Sequence, residues 1–150
     1  MSKQDYIKSI KTCNHCVKTL VEKLHFNPKF PQNMNIFVSS YKGKFVMVFR
    51  NGKWQISDKK KEIDNLFESN EIILENWLDE HGEDYPSLIK LFNRYINNKE
   101  KDDELTDLLK DEILVMLYNN RDIIEKRNLI KEDNLIPEIL NQPNTILEYE

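Results

Sequence analysis

Both cysteines of the chain lie in the stretch TCNHC, where Cys13 and Cys16 have the C-x-x-C spacing of zinc and redox sites. A structural zinc site usually draws four ligands from C-x-x-C and a second pair. The chain has no second C-x-x-C, and no typical spacing links His25 or His81 to the cysteines. A redox pair of the thioredoxin type lies at the start of a helix that follows a strand, and no strand is predicted before Cys13.

The same two cysteines fall on the apolar face of a helix predicted over Tyr6–Leu24, because apolar residues recur there every three or four positions. A buried cysteine behaves as a small hydrophobic side chain. The helix should end near His25–Phe26, since Pro28 disfavours helical backbone at the preceding residue. Core packing inside one continuous helix is therefore the favoured interpretation, and metal binding, redox chemistry and nucleophilic catalysis are the alternatives.

Other catalytic patterns are missing from the sequence. The only glycines are Gly43, Gly52 and Gly82, so the chain has no phosphate-binding loop or dinucleotide fingerprint. It has no H-E-x-x-H and no G-x-S-x-G. Asp58 begins a D-x-K sequence of the kind seen in nucleases, but Met34–Lys53 contains no acid to partner it, and a helix cap is the simpler role. We therefore expect no enzyme, no catalytic residue, no metal and no cofactor.

The charged residues are distributed unevenly. Met1–Lys61 holds 13 Lys and Arg against 3 Asp and Glu, whereas Glu62–Glu150 holds 9 against 23, although the net charge is only -4. Such an uneven distribution of charge along a chain is typical of proteins that bind charged partners. If both charged surfaces are exposed, head-to-tail self-association follows as one hypothesis.

The basic residues cluster around the predicted strands and alternate with aromatic residues, which is how sheets bind single-stranded nucleic acid through charge and stacking. The alternative is that the aromatic rings belong to the core and the lysines are solvated or face the acidic part. The candidate nucleic-acid-binding residues are Lys42, Lys44, Arg50, Lys53 and Trp54.

Three strands are predicted, over about Asn35–Ser39, Lys44–Phe49 and Trp54–Ser57. Asn51 and Gly52 lie between two apolar runs and form a strong hairpin signal. In the central strand Phe45, Met47 and Phe49 alternate with two valines. Because both faces of this strand are apolar, both are expected to be covered.

Helices are predicted for most of the remaining chain. The first begins after the N-cap Asp58, has a possible break at Ser69–Asn70, and ends at His81 before Gly82 in a C-cap role. The next begins at Pro86, and a further one covers Leu105–Leu117 and ends near YNNRD.

These elements predict an α+β fold, a three-stranded antiparallel β-meander packed against four or more α-helices. We expect a single domain over residues 1–150, with a basic part at 1–57 and an acidic part at 58–150. The N-terminal sequence lacks the apolar region of a signal peptide, and no apolar run approaches the ~20 residues of a membrane span. The sequence thus predicts an intracellular protein without a membrane partner.

Three blocks of the sequence resemble an uncharacterised domain of giant DNA viruses, the mimivirus-like viruses and their relatives, often found C-terminal to cysteine/histidine zinc fingers. The blocks are LVEKLHFNPKFPQNMNIFVSS (Leu20–Ser40), KFVMVFRNGKW (Lys44–Trp54) and EILVMLYNNRDII (Glu112–Ile124). The resemblance covers roughly residues 20 to 125. It implies an accessory protein in the cytoplasm or viral factory of an infected cell, or packaged in the virion, and it carries no catalytic residue.

The sequence departs from that family in one loop, which tends to read P-E-N-H-N-I in the relatives. Here it is Pro31-Gln32-Asn33-Met34-Asn35-Ile36, so an acid and a histidine are missing. No zinc finger precedes the matching blocks, so a DNA-binding role that depends on such fingers is not implied.

Polar residues of the shared blocks are candidates for holding the loop or for forming a binding site, and the structural role is favoured. Asn33 and Asn35 suit Asx turns, and Arg121 is expected to contact the loop. The set comprises His25, Asn27, Asn33, Asn35 and Arg121. The sequence favours a non-enzymatic viral accessory protein that binds a protein partner or itself, with nucleic-acid binding by the basic meander as the alternative.

Overall fold

The computed structural model describes residues 1–27 and 33–126, and its fold is α+β, as predicted. The elements in chain order are α1 (Lys3–Lys11), a 3-10 turn (Cys13–His15), α2 (Cys16–His25), β1 (Ile36–Phe37), β2 (Phe45–Arg50), β3 (Lys53–Asp58), α3 (Lys59–His81), a second 3-10 turn (Gly82–Asp84), α4 (Pro86–Lys101) and α5 (Asp103–Asn119). Residues 121–126 are also helical. The strands form one antiparallel sheet in the order β1-β2-β3, which confirms the meander. No helix in this part of the chain is long and apolar enough to cross a membrane.

The chain divides into two compact units. The helical unit comprises Met1–Leu24 and Ile63–Ile113, and the sheet unit comprises His25–Glu62 and Leu114–Glu150. The boundary between Glu62 and Ile63 lies beside the change from basic to acidic sequence after Lys61, but the helical unit also contains the basic residues 1–24, so the two units do not correspond to the two charged parts. That the whole chain is one folding domain stays a prediction.

The N-terminal helix is interrupted at the cysteines, so the prediction of one continuous helix over Tyr6–Leu24 is wrong. Helix α1 ends at Lys11, where the Thr12 hydroxyl donates to the carbonyl of Ser9 at 2.6 Å. Cys13 then takes a left-handed backbone conformation with φ 54°, which stops the helical pattern of hydrogen bonds. Helix α2 begins three residues later and ends at His25, as predicted.

Helix α3 is continuous over 23 residues, so the break expected at Ser69–Asn70 is absent. The Ser69 hydroxyl and the Asn70 side-chain amide both donate to the carbonyl of Leu66, at 3.2 and 2.8 Å. Their hydrogen bonds are thus made within the helix, where such residues otherwise compete with the backbone.

Gly82 follows α3 directly, but it begins a 3-10 turn instead of forming a left-handed cap. A Cβ atom at this position would lie 2.8 Å from Cδ1 of Ile89. The glycine therefore permits a close approach of α4 to the end of α3. Pro86 occupies the first turn of α4, as predicted.

The hairpin between β2 and β3 has the predicted two-residue turn. Asn51 and Gly52 both have positive φ, 54° and 78°, as a type I′ turn requires. Strand β1 is shorter than expected, with two residues, and is extended by a bond from the Phe49 N–H to the Asn35 carbonyl at 2.8 Å.

The two faces of the sheet are covered unequally. Met47 belongs to a buried cluster, and Val46 and Val48 on the opposite face are also buried. Phe45, however, leaves 50% of its surface exposed, so the expectation that both faces are covered is wrong at this position. The buried cluster consists of Met34, Phe37, Met47 and Ile124, against which Phe26 and Trp54 pack.

Candidate nucleic-acid interface

Basic side chains gather at the end of the sheet where β2 begins and β3 ends. Phe45 lies opposite Asp58 in the register, and the N–H of Lys59 donates to the carbonyl of Lys44 at 2.9 Å. The first residues of α3 therefore continue the sheet beside the start of β2. We call this region the lysine end, and define it as Tyr41, Lys42, Lys44, Phe45, Lys59, Lys60 and Lys61.

Two aromatic rings of the lysine end are accessible. Phe45 is 50% exposed and Tyr41 is 38% exposed. The Tyr41 ring meets the ring of Tyr118 edge-on at 6.1 Å, and the Lys59 amine lies 5.9 Å from its centroid while donating to the Tyr41 carbonyl. Tyr41 is thus held in place, whereas half of the Phe45 side chain remains open to contact.

The predicted nucleic-acid-binding residues separate into two groups. Lys42 and Lys44 lie at the lysine end and are exposed. Arg50 and Lys53 flank the turn at the other end of the hairpin, five residues along β2 from Phe45, which corresponds to about 17 Å of extended chain. The sequence-based prediction therefore places in one site residues that the fold keeps at opposite ends of the hairpin.

Arg50 is engaged inside the sheet unit. Its guanidinium donates to both carboxylate oxygens of Glu62, with Nη1–Oε2 at 2.7 Å and Nη2–Oε1 at 2.5 Å, and the Ser57 hydroxyl donates to Oε2 at 2.5 Å. Glu62 is only 3% exposed. The Arg50 hydrogen bonds lower the pKa of the Glu62 carboxyl, with a further contribution from Ser57, and they outweigh the opposing effect of burial.

Trp54 is half-buried and packs on the hydrophobic cluster, with its ring edge-on to Phe49 at a centroid distance of 5.5 Å. Its indole Nε1 is buried and has no acceptor in the described part of the chain. The Trp54 ring belongs to the core of the sheet unit. This agrees with the alternative interpretation of the sequence, in which the aromatic rings are part of the core. The accessible ring is that of Phe45, which the alternating pattern assigned to a covered face.

Of the polar residues in the shared blocks, His25 and Asn33 are in contact. His25 is buried, and its Nδ1 donates to the Asn33 carbonyl at 2.5 Å. Burial lowers the pKa of the His25 imidazole, although the bond to Asn33 opposes the shift. The pair joins the two ends of the segment at 28–32, which lies outside the described residues. Asn27 is half-buried.

Asn35 and Arg121 take part in hydrogen bonds that involve the backbone. The Asn35 carbonyl accepts from Phe49, as described above. Arg121 donates to the Tyr118 carbonyl at 2.8 Å and lies 4.0 Å from the Tyr118 ring centroid, so it caps the end of α5. Among the described residues no hydrogen bond joins Arg121 to His25 or Asn33, and residues 28–32 of the loop that it was expected to reach lie outside them.

A cleft of about 430 Å³ lies between α3 and α4 in the helical unit. Its polar groups are the carboxylates of Glu75 and Asp79 and the amide of Asn93, above an apolar floor that includes Leu78 and Phe92. These two carboxylates and the amide do not make up the pair of a nucleophile and an adjacent base that covalent catalysis requires. In the described ranges no three His, Cys, Asp or Glu side chains converge as metal ligands.

Comparison with known proteins adds no relative. No protein-family model matches the chain, and no curated protein or solved structure is significantly similar to it. The resemblance to the giant-virus domain stays a prediction.

The Glu62 interaction predicts a specific loss of stability. The substitution Arg50→Gln should lower the free energy of unfolding by about 1–3 kcal/mol at pH 7, because it leaves a buried carboxylate without its charged partner. The effect should fade in acid: the pKa of Glu62 is lowered from 4.5 in the folded protein, so this stabilisation is present above pH 4.5 and is lost as the pH falls below it. Urea denaturation at pH 7 and pH 3 measures both.

Lys53→Gln is the matched control, because Lys53 lies opposite Arg50 in the register and is exposed. Equal losses for the two variants at pH 7 would contradict the assigned role of Glu62.

His25 predicts a second pH dependence. Its pKa in the folded protein lies below its ordinary value of 6.5, so the unfolded chain binds an extra proton at lower pH. The contribution of His25 to the free energy of unfolding is therefore fully present above pH 6.5 and is lost as the pH falls below it. Between pH 7 and pH 5.5 the free energy of unfolding should fall more in the wild type than in His25→Asn, by up to about 1 kcal/mol. Asparagine is chosen because its amide can donate to the Asn33 carbonyl as the imidazole does.

The control is Asn76→Ser, since Asn76 is exposed and carries no titratable group. This variant should keep the wild-type pH dependence. If it loses that dependence and His25→Asn keeps it, the burial of His25 is not its cause.

Proposed function

We propose that this protein is a non-enzymatic binding module and that its lysine end contacts single-stranded nucleic acid. The observation that carries the proposal is the exposed half of the Phe45 ring among exposed lysines. Bases of a single strand stack on aromatic rings, and lysines follow its phosphates. The lysine end combines both groups on the surface of a sheet.

Acidic residues are few in the described segment that forms the lysine end. Residues 33–62 contain seven Lys and Arg against two acidic residues, Asp58 and Glu62. Asp58 accepts the N–H of Lys61 at 2.9 Å as the cap of α3, and Glu62 is bonded to Arg50 and Ser57. Within the described residues Lys42 and Lys44 form no ion pair. In residues 1–27 and 33–126, the exposed Lys42 and Lys44 therefore carry charge that no ion pair offsets.

The start of α3 adds to this potential. Three lysines occupy its first turn, at 59–61, where the partial charge of the helix is already positive and acidic residues are preferred. Like charges at this position destabilise the helix by roughly 0.3–1 kcal/mol each. A bound polyanion would offset that destabilisation, which supports an anionic partner.

The proposal predicts binding of fluorescein-labelled oligo-dT and oligo-U, measured by fluorescence anisotropy over a range of salt concentrations. If about three phosphates are contacted, the logarithm of the association constant should fall with the logarithm of salt concentration with a slope of roughly -2. The triple substitution Lys42→Glu, Lys44→Glu and Lys60→Glu should abolish binding. Lys53→Glu, at the other end of the hairpin, should change it little.

The matched control carries the same charge change on exposed lysines of the helical unit, with Lys8, Lys11 and Lys90 each changed to Glu. Equal weakening by the two triples would mean that net charge alone attracts the strand. A second variant, Phe45→Leu, keeps an apolar side chain but removes the ring, and should weaken binding by about 1–3 kcal/mol. Unchanged affinity in Phe45→Leu would remove stacking from the proposal.

A second candidate function, self-association, is favoured by the open edge of β3. The turn makes Arg50 and Lys53 a hydrogen-bonded pair, so alternate residues of β3 bond to β2, and the bond of Lys59 to Lys44 continues this alternation. The backbone groups of Trp54 and Ile56 therefore point away from β2. In the described chain no strand pairs with this edge, and Ile56 is 46% exposed.

An antiparallel pairing of β3 with β3 of a second copy, centred on Ile56, would place the two isoleucines against each other. It would also place Trp54 opposite Asp58 of the second copy and extend the sheet across a two-fold axis, the commonest symmetry of dimers. Open sheet edges are templates for such pairing.

Self-association predicts that light scattering after size exclusion shows a dimer whose fraction rises with concentration. Ile56→Lys should shift the equilibrium to the monomer, because it places two like charges across the symmetry axis. Ile72→Lys is the control, since Ile72 is 53% exposed in the helical unit. A wild type that is monomeric at all accessible concentrations would exclude this candidate.

From the resemblance alone, we further propose that the protein is an accessory protein of a giant DNA virus that acts inside the infected cell or is carried in the virion. Mass spectrometry of purified virions and infected-cell fractions tests this origin independently of either binding surface.

A further inference from the structure

The interruption between α1 and α2 gives the two cysteines a geometry that a continuous helix would not. In a regular helix the Cβ atoms of residues three apart are about 5–6 Å apart, whereas a disulfide needs about 3.5–4.5 Å. Here Cys13 has a left-handed backbone, and the N–H of Cys16 donates to the Cys13 carbonyl. Such a turn keeps the Cα atoms of Cys13 and Cys16 within about 7 Å, close to the upper limit of the roughly 4.4–6.8 Å that disulfides span between Cα atoms.

The two thiols differ in accessibility. Cys13 is half-buried, with Sγ 3.6 Å from the Leu91 carbonyl and 3.9 Å from Oδ1 of Asn14. Cys16 is buried at the start of α2, where desolvation raises the pKa of its thiol to about 12. The partly exposed Cys13 thiol is therefore placed to react with an oxidant first, and the buried Cys16 thiol, whose raised pKa disfavours its thiolate, acts as the slower second nucleophile.

The backbone at Cys13 is unfavourable for a side chain with Cβ. Glycine takes a left-handed conformation without strain, and other residues rarely do so. Strained conformations of this kind occur where the surrounding structure imposes them and are frequent at functional sites. Core packing of two cysteines, the favoured interpretation of the sequence, explains the burial of Cys16 but not the left-handed backbone at Cys13.

We propose that Cys13 and Cys16 form a reversible dithiol–disulfide pair that exchanges with small disulfides such as oxidised glutathione. The Cys13 thiolate attacks one sulfur of glutathione disulfide, forming a mixed disulfide and releasing one glutathione. Cys16 then loses its proton and attacks the Cys13 sulfur, which forms the internal disulfide and releases the second glutathione. Two electrons pass from the cysteines to glutathione disulfide, and the two thiol protons end on the two released glutathiones.

The test equilibrates the full chain in mixtures of reduced and oxidised glutathione, blocks free thiols with N-ethylmaleimide, and measures intact and peptide masses. The expected product is a monomer that has lost two hydrogens, with the peptides of Cys13 and Cys16 linked, and dithiothreitol should return it to the dithiol. Wild type in which both cysteines remain alkylated at every ratio, or which stops at a glutathione adduct, would overturn the proposal.

Two variants separate the steps. Cys16→Ser should accumulate the mixed disulfide on Cys13, whereas Cys13→Ser should form neither product over the same time. Because Cys16 is part of the core, circular dichroism checks each fold, and Cys16→Val replaces Cys16→Ser if the serine variant is unfolded. Faster glutathionylation at Cys16 than at Cys13 would reverse the assigned order and contradict the proposal.

Discussion

The sheet unit depends on one interaction, the pairing of the buried Glu62 carboxylate with Arg50 and Ser57. A carboxylate with 3% exposure is unfavourable unless it is paired and hydrogen-bonded, and it finds both conditions in Arg50 of β2 and Ser57 of β3. Three consecutive elements therefore meet at one charged group. Since α3 begins at the residue after β3 without a loop, this contact fixes the first turn of the helix relative to the hairpin and so positions the lysines that surround Phe45.

Local signals made much of the fold predictable. Asn51-Gly52 required a turn with two positive φ angles, Asp58 offered a cap, and Pro86 marked the first turn of a helix, and each acts within a few residues. The break at Cys13 had no such signal, because neither glycine nor proline is present and the apolar spacing runs through it. At Ser69–Asn70 the residues suggested a break, but their side chains bond within the helix.

The candidate site was less predictable because its composition depends on contacts between distant residues. Arg50 and Lys53 are both basic residues beside one turn, yet only Arg50 reaches the carboxylate of Glu62, twelve residues away in sequence. Trp54 and Phe45 are both aromatic strand residues, yet Trp54 packs on the buried cluster while Phe45 stands at the end of the sheet. Periodicity assigns a side chain to a face of a strand, but not to the covered or the open end of that face.

In the nucleic-acid binding that we propose for the lysine end, charge and stacking would contribute differently. Lysines attract any polyanion, because the electrostatic contribution of phosphate neutralisation is independent of sequence. The exposed Phe45 ring is more selective, since it can stack only on a base that is not already stacked in a duplex. The two acidic residues of this segment are engaged within the fold, because Asp58 accepts the N–H of Lys61 and Glu62 accepts from Arg50. The potential around the Phe45 ring therefore stays positive. Under the proposed function, the aromatic residue would favour single strands over duplexes, and the lysines would favour anionic over neutral ligands.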